Sequence, residues 1–314
     1  MPYGVGAGGF IGVAVETVSG TYTAPTLYLP LLEESLQFDQ GQIERRPLRG
    51  IADLSGLLGG DQSIAGSIKV EVTHDTLPFL LRAARVTIVK TGAGPYTYTC
   101  APNANAVPAQ TLSITVVRNS AVFGYTGCVI SSQKYSIDNG VLVLESDIVG
   151  LGEASQSLPS PTYITTNPPA TGQFQLQFAT VTSTDADTFE LSINDNAEPQ
   201  FRLQGGNVRT AVFTKYGERS VELSIDRDFI DRTDFDAFKA MTAQAVDLNC
   251  VQTASSAEVN FNVPTAIKSA YEIQGLSGQA DLIRASISYM GVYDTVTSKS
   301  YGIVIKSAAS ITIP

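Results

Sequence analysis

The chain contains no tryptophan and a single histidine, His74. A site that needs two histidines cannot be built within one chain, which excludes most zinc hydrolases and the HExxH proteases. The three cysteines, Cys100, Cys128 and Cys250, lie far apart with no CxxC pair, so a four-cysteine zinc site is out of reach. The expectation is three reduced, buried thiols. Charge is sparse at 16% of residues, against about 25% in an ordinary domain. Basic residues are the scarcer sign, 20 Lys and Arg against 30 Asp and Glu, for a net charge of −10. That balance argues against gripping nucleic acid through its phosphates, though not against letting nucleic acid pass. No apolar run approaches the ~18 residues of a membrane helix. The opening MPYGVGAGGFIGVAVETV carries no Lys or Arg and so lacks the n-region of a signal peptide. The expectation is a soluble protein, made in a cytoplasm, not processed and not inserted in a membrane.

What is abundant is alternation. Ile68, Val70 and Val72 interleave with Lys69 and Glu71. Phe174, Leu176 and Phe178 interleave with glutamines, Phe189, Leu191 and Ile193 with Glu190 and Ser192, and Val221, Leu223 and Ile225 with Glu222 and Ser224. Leu112, Ile114 and Val116 form a further set, as do Ile283, Ala285, Ile287 and Tyr289. Period two with β-branched and aromatic residues predicts strands with one buried and one wet face, the habit of antiparallel sheets. Two segments read as helix. In Asp75–Ala84, Leu77, Leu80, Leu81 and Ala84 share a face, Asp75 is a candidate cap and Pro78 falls in the first turn. In Thr233–Ala243, Thr233 is the candidate cap, Asp234 and Asp236 suit the helix dipole, and Phe235, Phe238 and Met241 share a face.

The two helices occupy the same place in two similar segments. ESLQFDQGQIERRPLRG, a glycine-rich connection, AGSIKVEV and a helix answer to TFELSINDNAEPQFRLQGG, a connection, GERSVELSI and a helix. Further strands follow each, ending in VLVLESDIVGLGE and in ADLIRASISYMGVYD. Between them lies the proline-rich SLPSPTYITTNPPATG. The expected layout is an N-terminal arm over 1–30, a first unit over 31–156, a linker over 157–172, a second unit over 173–298 and a C-terminal arm over 299–314. The tail SYGIVIKSAASITIP is β-prone. It either adds as a strand to a neighbouring subunit or finishes its own sheet.

The ordered set VETVSGTYTAPTLYLPLLEESL (15–36), RRPLRG (45–50), AGSIKVEV, FGYTGCVISSQKYSIDNGVLVLESDIVG (123–150) and the strand-plus-helix repeat at 187–243 resembles the tail tube, or major tail, proteins of long, flexible-tailed bacteriophages, especially their actinophage-like versions. The resemblance spans nearly the whole chain. It implies a mainly β fold of two tandem tail-tube-type β-sandwich units, each with one short α-helix, whose sheets join between subunits into a β-barrel. It implies a virion structural protein that is not an enzyme and needs no cofactor. Its partners would be itself in stacked rings, a tape-measure protein and genomic DNA in the lumen, and tail terminator and distal tail proteins at the ends, with assembly in the host cytoplasm. If each chain holds two units, a six-fold ring needs three chains, a homotrimer with pseudo-six-fold symmetry; the rival is a hexamer of chains. The alternatives are a head–tail joining or distal-tail ring protein, and a carbohydrate- or receptor-binding module, which the absence of tryptophan disfavours.

Two sets of residues carry that reading. An acidic lumen wall would repel phosphates and leave DNA mobile. Asp39, Glu71, Glu190, Glu222 and Asp226, in or beside alternating strands, are the candidates. Residues 1–165 carry 9 basic and 13 acidic groups and residues 166–314 carry 11 and 17, so both halves are electronegative. The stretch 40–63 reads as a long loop in which Arg45, Arg46 and Arg49 sit beside Ile51, Leu54, Leu57 and Leu58, a composition that suits stacking onto an adjacent ring. Other patterns weigh less. Gly4, Gly6 and Gly9 satisfy GxGxxG without a preceding strand and read as an arm. Asp226, Asp228, Asp231, Asp234 and Asp236 lack calcium-loop spacing and read as turn and helix-start residues. His74 with Asp75 has no nucleophile elbow to serve.

Overall fold

In the computed structural model the described residues are 8–47, 53–103, 110–203, 208–252, 257–275, 282–308 and 310. The protein is mostly strand, as the alternation predicts. The first half contains β1 (Phe10–Val15), β2 (Leu27–Leu29), β3 (Leu31–Glu34), β4 (Gln37–Arg45), β5 (Gly56–Glu71), α1 (Leu77–Leu80), β6 (Val86–Thr91), β7 (Tyr96–Pro102), β8 (Leu112–Arg118), β9 (Ala121–Asp138), β10 (Val141–Gly150) and β11 (Gly152–Ser155). The second contains β12 (Phe174–Phe178), β13 (Val181–Thr182), β14 (Glu190–Asn194), β15 (Ala197–Phe201), β16 (Arg209–Tyr216), β17 (Ser220–Asp228), α2 (Thr233–Lys239), β18 (Ala243–Gln252), β19 (Ala257–Ile273), β20 (Arg284–Gly291) and β21 (Gly302–Ser307).

Strand pairing repeats between the halves. In the first, β2–β1–β8–β9–β11 form one antiparallel ladder and β9–β10–β5 another, with β3 and β4 on the far side of β5. In the second, β13–β12–β18–β19–β21 and β19–β20–β17 follow the same order, with β14 on the far side of β17. The β15–β16 hairpin stands where the β4–β5 hairpin stands in the first half. Both long strands, β9 and β19, carry a bulge where they pass from one ladder to the other, skipping Ser131 and Ser269. Among the described residues the β6–β7 hairpin has no counterpart in the second half.

Among the described residues three strand pairings join the halves: β9 with β14, β7 with β21, and a short parallel contact of β5 with β16. All strands therefore belong to one hydrogen-bonded network, open in the single chain and not a closed barrel. The core is shared as well. Buried residues from Ile11 to Ile305 form one apolar cluster, with Tyr135 of β9 against Phe261 of β19 at 4.6 Å between ring centroids. The three cysteines are buried thiols, and burial pushes Cys100 and Cys250 up to about 12.

Several expectations change. Phe10–Val15 is a buried strand between β2 and β8 rather than part of an arm. Gly302–Ser307 finishes its own sheet, between β19 and β7. The predicted loop at 40–63 is largely a hairpin, because Gln37–Arg45 and Gly56–Ala65 pair. Helix α1 buries Leu77 and Leu80 as its spacing predicts, but Thr76 stands at the cap position and Asp75 instead accepts hydrogen bonds from Thr166 and Ser307. In α2, Thr233 is the first helical residue after Arg232. Phe235 and Phe238 pack on Tyr271, whereas Met241, at φ 49°, lies past the helix end and is exposed. Among the described residues no helix is long and apolar enough to cross a membrane.

Candidate functional site

The ladder that crosses both halves is β4–β5–β10–β9–β14–β17–β20–β19. One face is apolar and buried: Ile68, Val70, Leu144, Tyr135, Leu191, Ile193, Leu223, Ile225, Ile287 and Tyr289. The other face is polar, and its residues line up in rows that pass from one half to the other without a break. One row reads Lys69, Glu145, Lys134, Ser192, Glu222, Met290; another reads Glu71, Val143, Ser136, Glu190, Ser224, Ser288, Ala270. A third links Asp226, Ser286 and Glu272.

Asp39 lies opposite Ser63, which shares the parity of Lys69 and Glu71. All five carboxylates expected as one group, Asp39, Glu71, Glu190, Glu222 and Asp226, therefore project from a single sheet face. The reasoning from sequence missed Glu33, Asp138, Glu145, Asp147, Asp228 and Glu272, which share it. Their signal was parity too, but it shows only once the bulge at Ser131 and the register of β19 are known. The cations of the face are engaged: Lys69 donates to Asp138 (2.8 Å), Lys134 pairs with Glu190 (2.9 Å), and Arg284, opposite Asp228, donates to Asp187 (2.8 Å). The hydrogen bond to Asp138 pushes the Lys69 ammonium up from its ordinary pKa, so it stays charged and occupied. The face is acidic, dotted with serine, and poor in cations that could hold a phosphate.

The second surface is the β4–β5 hairpin. Arg45, Arg46, Leu54, Leu57 and Leu58 are exposed, together with Ile43. Arg49 and Ile51 lie outside the described residues. Arg46 folds onto its own neighbour Glu44 (2.7 Å). The hairpins of the two halves touch where Arg209, at the tip end of β16, forks onto Asp61 of β5 (2.6 and 2.8 Å).

A buried clasp fixes one half against the other. Asp195, 1% exposed and just past β14, accepts from Arg219 at 2.6 Å and lies 4.0 Å from Arg85 of the first half. Arg219 also donates to the Arg85 carbonyl (2.6 Å), and Arg85 donates to the Gly217 carbonyl (3.0 Å). Burial pushes the Asp195 carboxyl above its usual pKa against the pull of both arginines.

The remaining candidates resolve into structural roles. Arg227 joins Asp185 and Asp234, Lys268 joins Asp234, Arg232 joins Asp236, Asp231 accepts from the Thr233 amide, and Asp226 accepts from Thr188. His74 is buried 3.6 Å from Asp75, and that carboxylate is taken by Thr166 and Ser307. Gly9 precedes β1, and Gly4 and Gly6 lie outside the described residues.

A sheet with one buried and one acidic face, its strand order duplicated, defines an antiparallel β protein of two like halves. A family described as phage tail tube protein matches residues 6–291, and the chain belongs to it. It is thus a structural component of a phage tail. No curated protein matches the chain.

Proposed function

We propose that the chain polymerises into stacked rings that form the tail tube of a long-tailed phage, an acidic-walled conduit through which genomic DNA leaves. The observation that carries this reading is the continuous acidic face on one ladder that runs through both halves: its carboxylates far outnumber its cations, and Lys69, Lys134 and Arg284 are all engaged with acidic groups. Turned inward, that face keeps phosphates at a distance and hydrated, so DNA slides without being held.

In this reading the repeated pairing order marks two tube-fold units per chain, roughly 31–156 and 173–298, and three chains close a pseudo-six-fold ring. Three chains with eight strands each on this ladder, about 4.8 Å apart and tilted 35–45°, give a barrel roughly 45–50 Å across at the backbone. Six chains would double that. The β4–β5 hairpin stacks on the next ring, Leu54, Leu57 and Leu58 against apolar surface and Arg45, Arg46 and Arg49 against acidic groups. The tape-measure protein occupies the lumen before DNA does, terminator and distal tail proteins close the ends, and assembly takes place in the host cytoplasm.

Electron microscopy of the purified, concentrated protein tests the reading. Hollow stacked rings with six lobes end-on are expected. Single rings that never stack would favour a joining or distal-tail role instead.

A further inference from the structure

The chain holds one copy of a seam inside itself and the two halves of another at its ends. Inside, β14 of the second half lies against β9 of the first: Asn194 opposite Ser132, Ile193 opposite Gln133, Ser192 opposite Lys134, Leu191 opposite Tyr135 and Glu190 opposite Ser136. The repeated ladders identify the residues that occupy the same places elsewhere. Ser35 lies against Ser67 and Phe38 against Ile64, as Glu190 lies against Ser224 and Ile193 against Val221. The bulges align Ser132, opposite Asp147, with Ala270, opposite Ser288. Ser35–Asp39 thus corresponds to the β14 side of the seam, and Ala270–Gln274 to the β9 side.

Burial separates the filled seam from the empty one. Leu191, Ile193, Gln133 and Tyr135 are 0–1% exposed, whereas Phe38 is 40% exposed and Ile273 is 45% exposed; Leu36, the counterpart of Leu191, is covered by its own half. Among the described residues no strand covers the outer edge of Ser35–Asp39 or of Ala270–Gln274.

From this we infer that a second copy of this chain completes the seam, in the register of the internal one: Asp39 of one copy opposite Ala270 of the next, Phe38 opposite Tyr271, Gln37 opposite Glu272, Leu36 opposite Ile273 and Ser35 opposite Gln274. The inference rests on the self-assembly proposed above and supplies its contact. Each chain carries one of each edge, so the contact is heterologous and closes only as a ring.

A clamp guards the edge in the single chain. The Leu36 amide donates to Glu34 (3.2 Å), and its carbonyl accepts from the Tyr125 hydroxyl (3.1 Å) and from Arg118, which also forks onto Glu34 (2.7 and 2.8 Å). In the filled seam the corresponding backbone, Leu191, faces Tyr135 instead. Arg118 and Glu34 occupy the polar groups of an edge that would otherwise pair too early, and they release Leu36 when the neighbour arrives.

Cysteine pairs test the register. Facing residues of an antiparallel pair lie within disulfide reach, and residues one pair off-register, about 7–8 Å apart, do not. The three native thiols are buried and do not compete. Assemblies of Gln37→Cys/Glu272→Cys, treated with an oxidant, are expected to cross-link at least about tenfold faster than Gln37→Cys/Ala270→Cys or Gln37→Cys/Gln274→Cys, ending in a closed product of three chains. Assemblies that form but cross-link no faster in register overturn the seam and leave the tube reading standing. A chain that stays monomeric at every concentration counts against the tube reading itself. For the clamp, Arg118→Ala is expected to shorten the lag before light scattering rises; an unchanged or longer lag, with circular dichroism intact, overturns it.

Discussion

Removing Arg219 tests whether the halves are locked into one body. Asp195 is 1% exposed, and Arg219 supplies its short hydrogen bond, with Arg85 only 4.0 Å away. Arg219→Ala leaves a buried carboxylate with one loose counter-charge, a change that costs about 3–5 kcal/mol when a buried ion loses its partner. Arg219→Lys keeps the charge and loses the fork, so about 1–3 kcal/mol is expected. The double change Asp195→Ala with Arg219→Ala removes the stranded charge, and its cost should fall short of the sum of the singles by about 2 kcal/mol. Urea unfolding reads these values through tyrosine emission, since the chain has 13 tyrosines and no tryptophan. The sign with pH is fixed. Burial raises the folded-state pKa of Asp195, and losing Arg219 raises it further. The penalty of Arg219→Ala is therefore full at neutral pH and shrinks as pH falls through the folded value. A loss below about 1 kcal/mol, or strictly additive changes, would refute the clasp.

Burial lowers the folded-state pKa of His74 below 6.5, so its contribution is present above pH 6.5 and is lost as pH falls through the folded value; His74→Gln should flatten that part of the stability profile, and an unchanged profile counts against it. Gly66 sits at φ +147°, where an added Cβ would meet the Ser35 carbonyl oxygen at 2.5 Å, so Gly66→Ala should lose roughly 1–3 kcal/mol or fail to fold, and wild-type unfolding would contradict that. Arg45→Glu with Arg46→Glu should leave ring mass unchanged and shorten tubes in micrographs, whereas tubes of normal length and yield would remove the hairpin from the stacking contact. Glu190→Lys with Glu222→Lys should leave tubes intact and slow DNA ejection in reconstituted particles, and an unchanged rate would take these carboxylates off the lumen wall.

Strands and buried faces were legible because parity is local: Ile68, Val70 and Val72, or Val221, Leu223 and Ile225, announce which face is wet within a few residues. The same parity predicted that Asp39, Glu71, Glu190, Glu222 and Asp226 face away from a core. It could not say that they face the same way, because that depends on how distant strands register. The pairing of Glu190 with Ser136, and the bulges at Ser131 and Ser269, are long-range facts. The stretch 40–63 looked like a loop because its glycines and polar residues break the alternation, yet the partner strand supplies the ladder that local propensity does not. The Asp195 clasp was invisible for a similar reason, since its members Arg85, Asp195 and Arg219 meet only when one half folds against the other.

The most direct test of the account is the mass of one ring in assembled tubes, measured with end-on class averages from cryo-electron microscopy. Two sheet units per chain, sharing one acidic ladder, predict three chains in a ring of six lobes. Six chains per ring, with only one half of each facing the lumen, would contradict it.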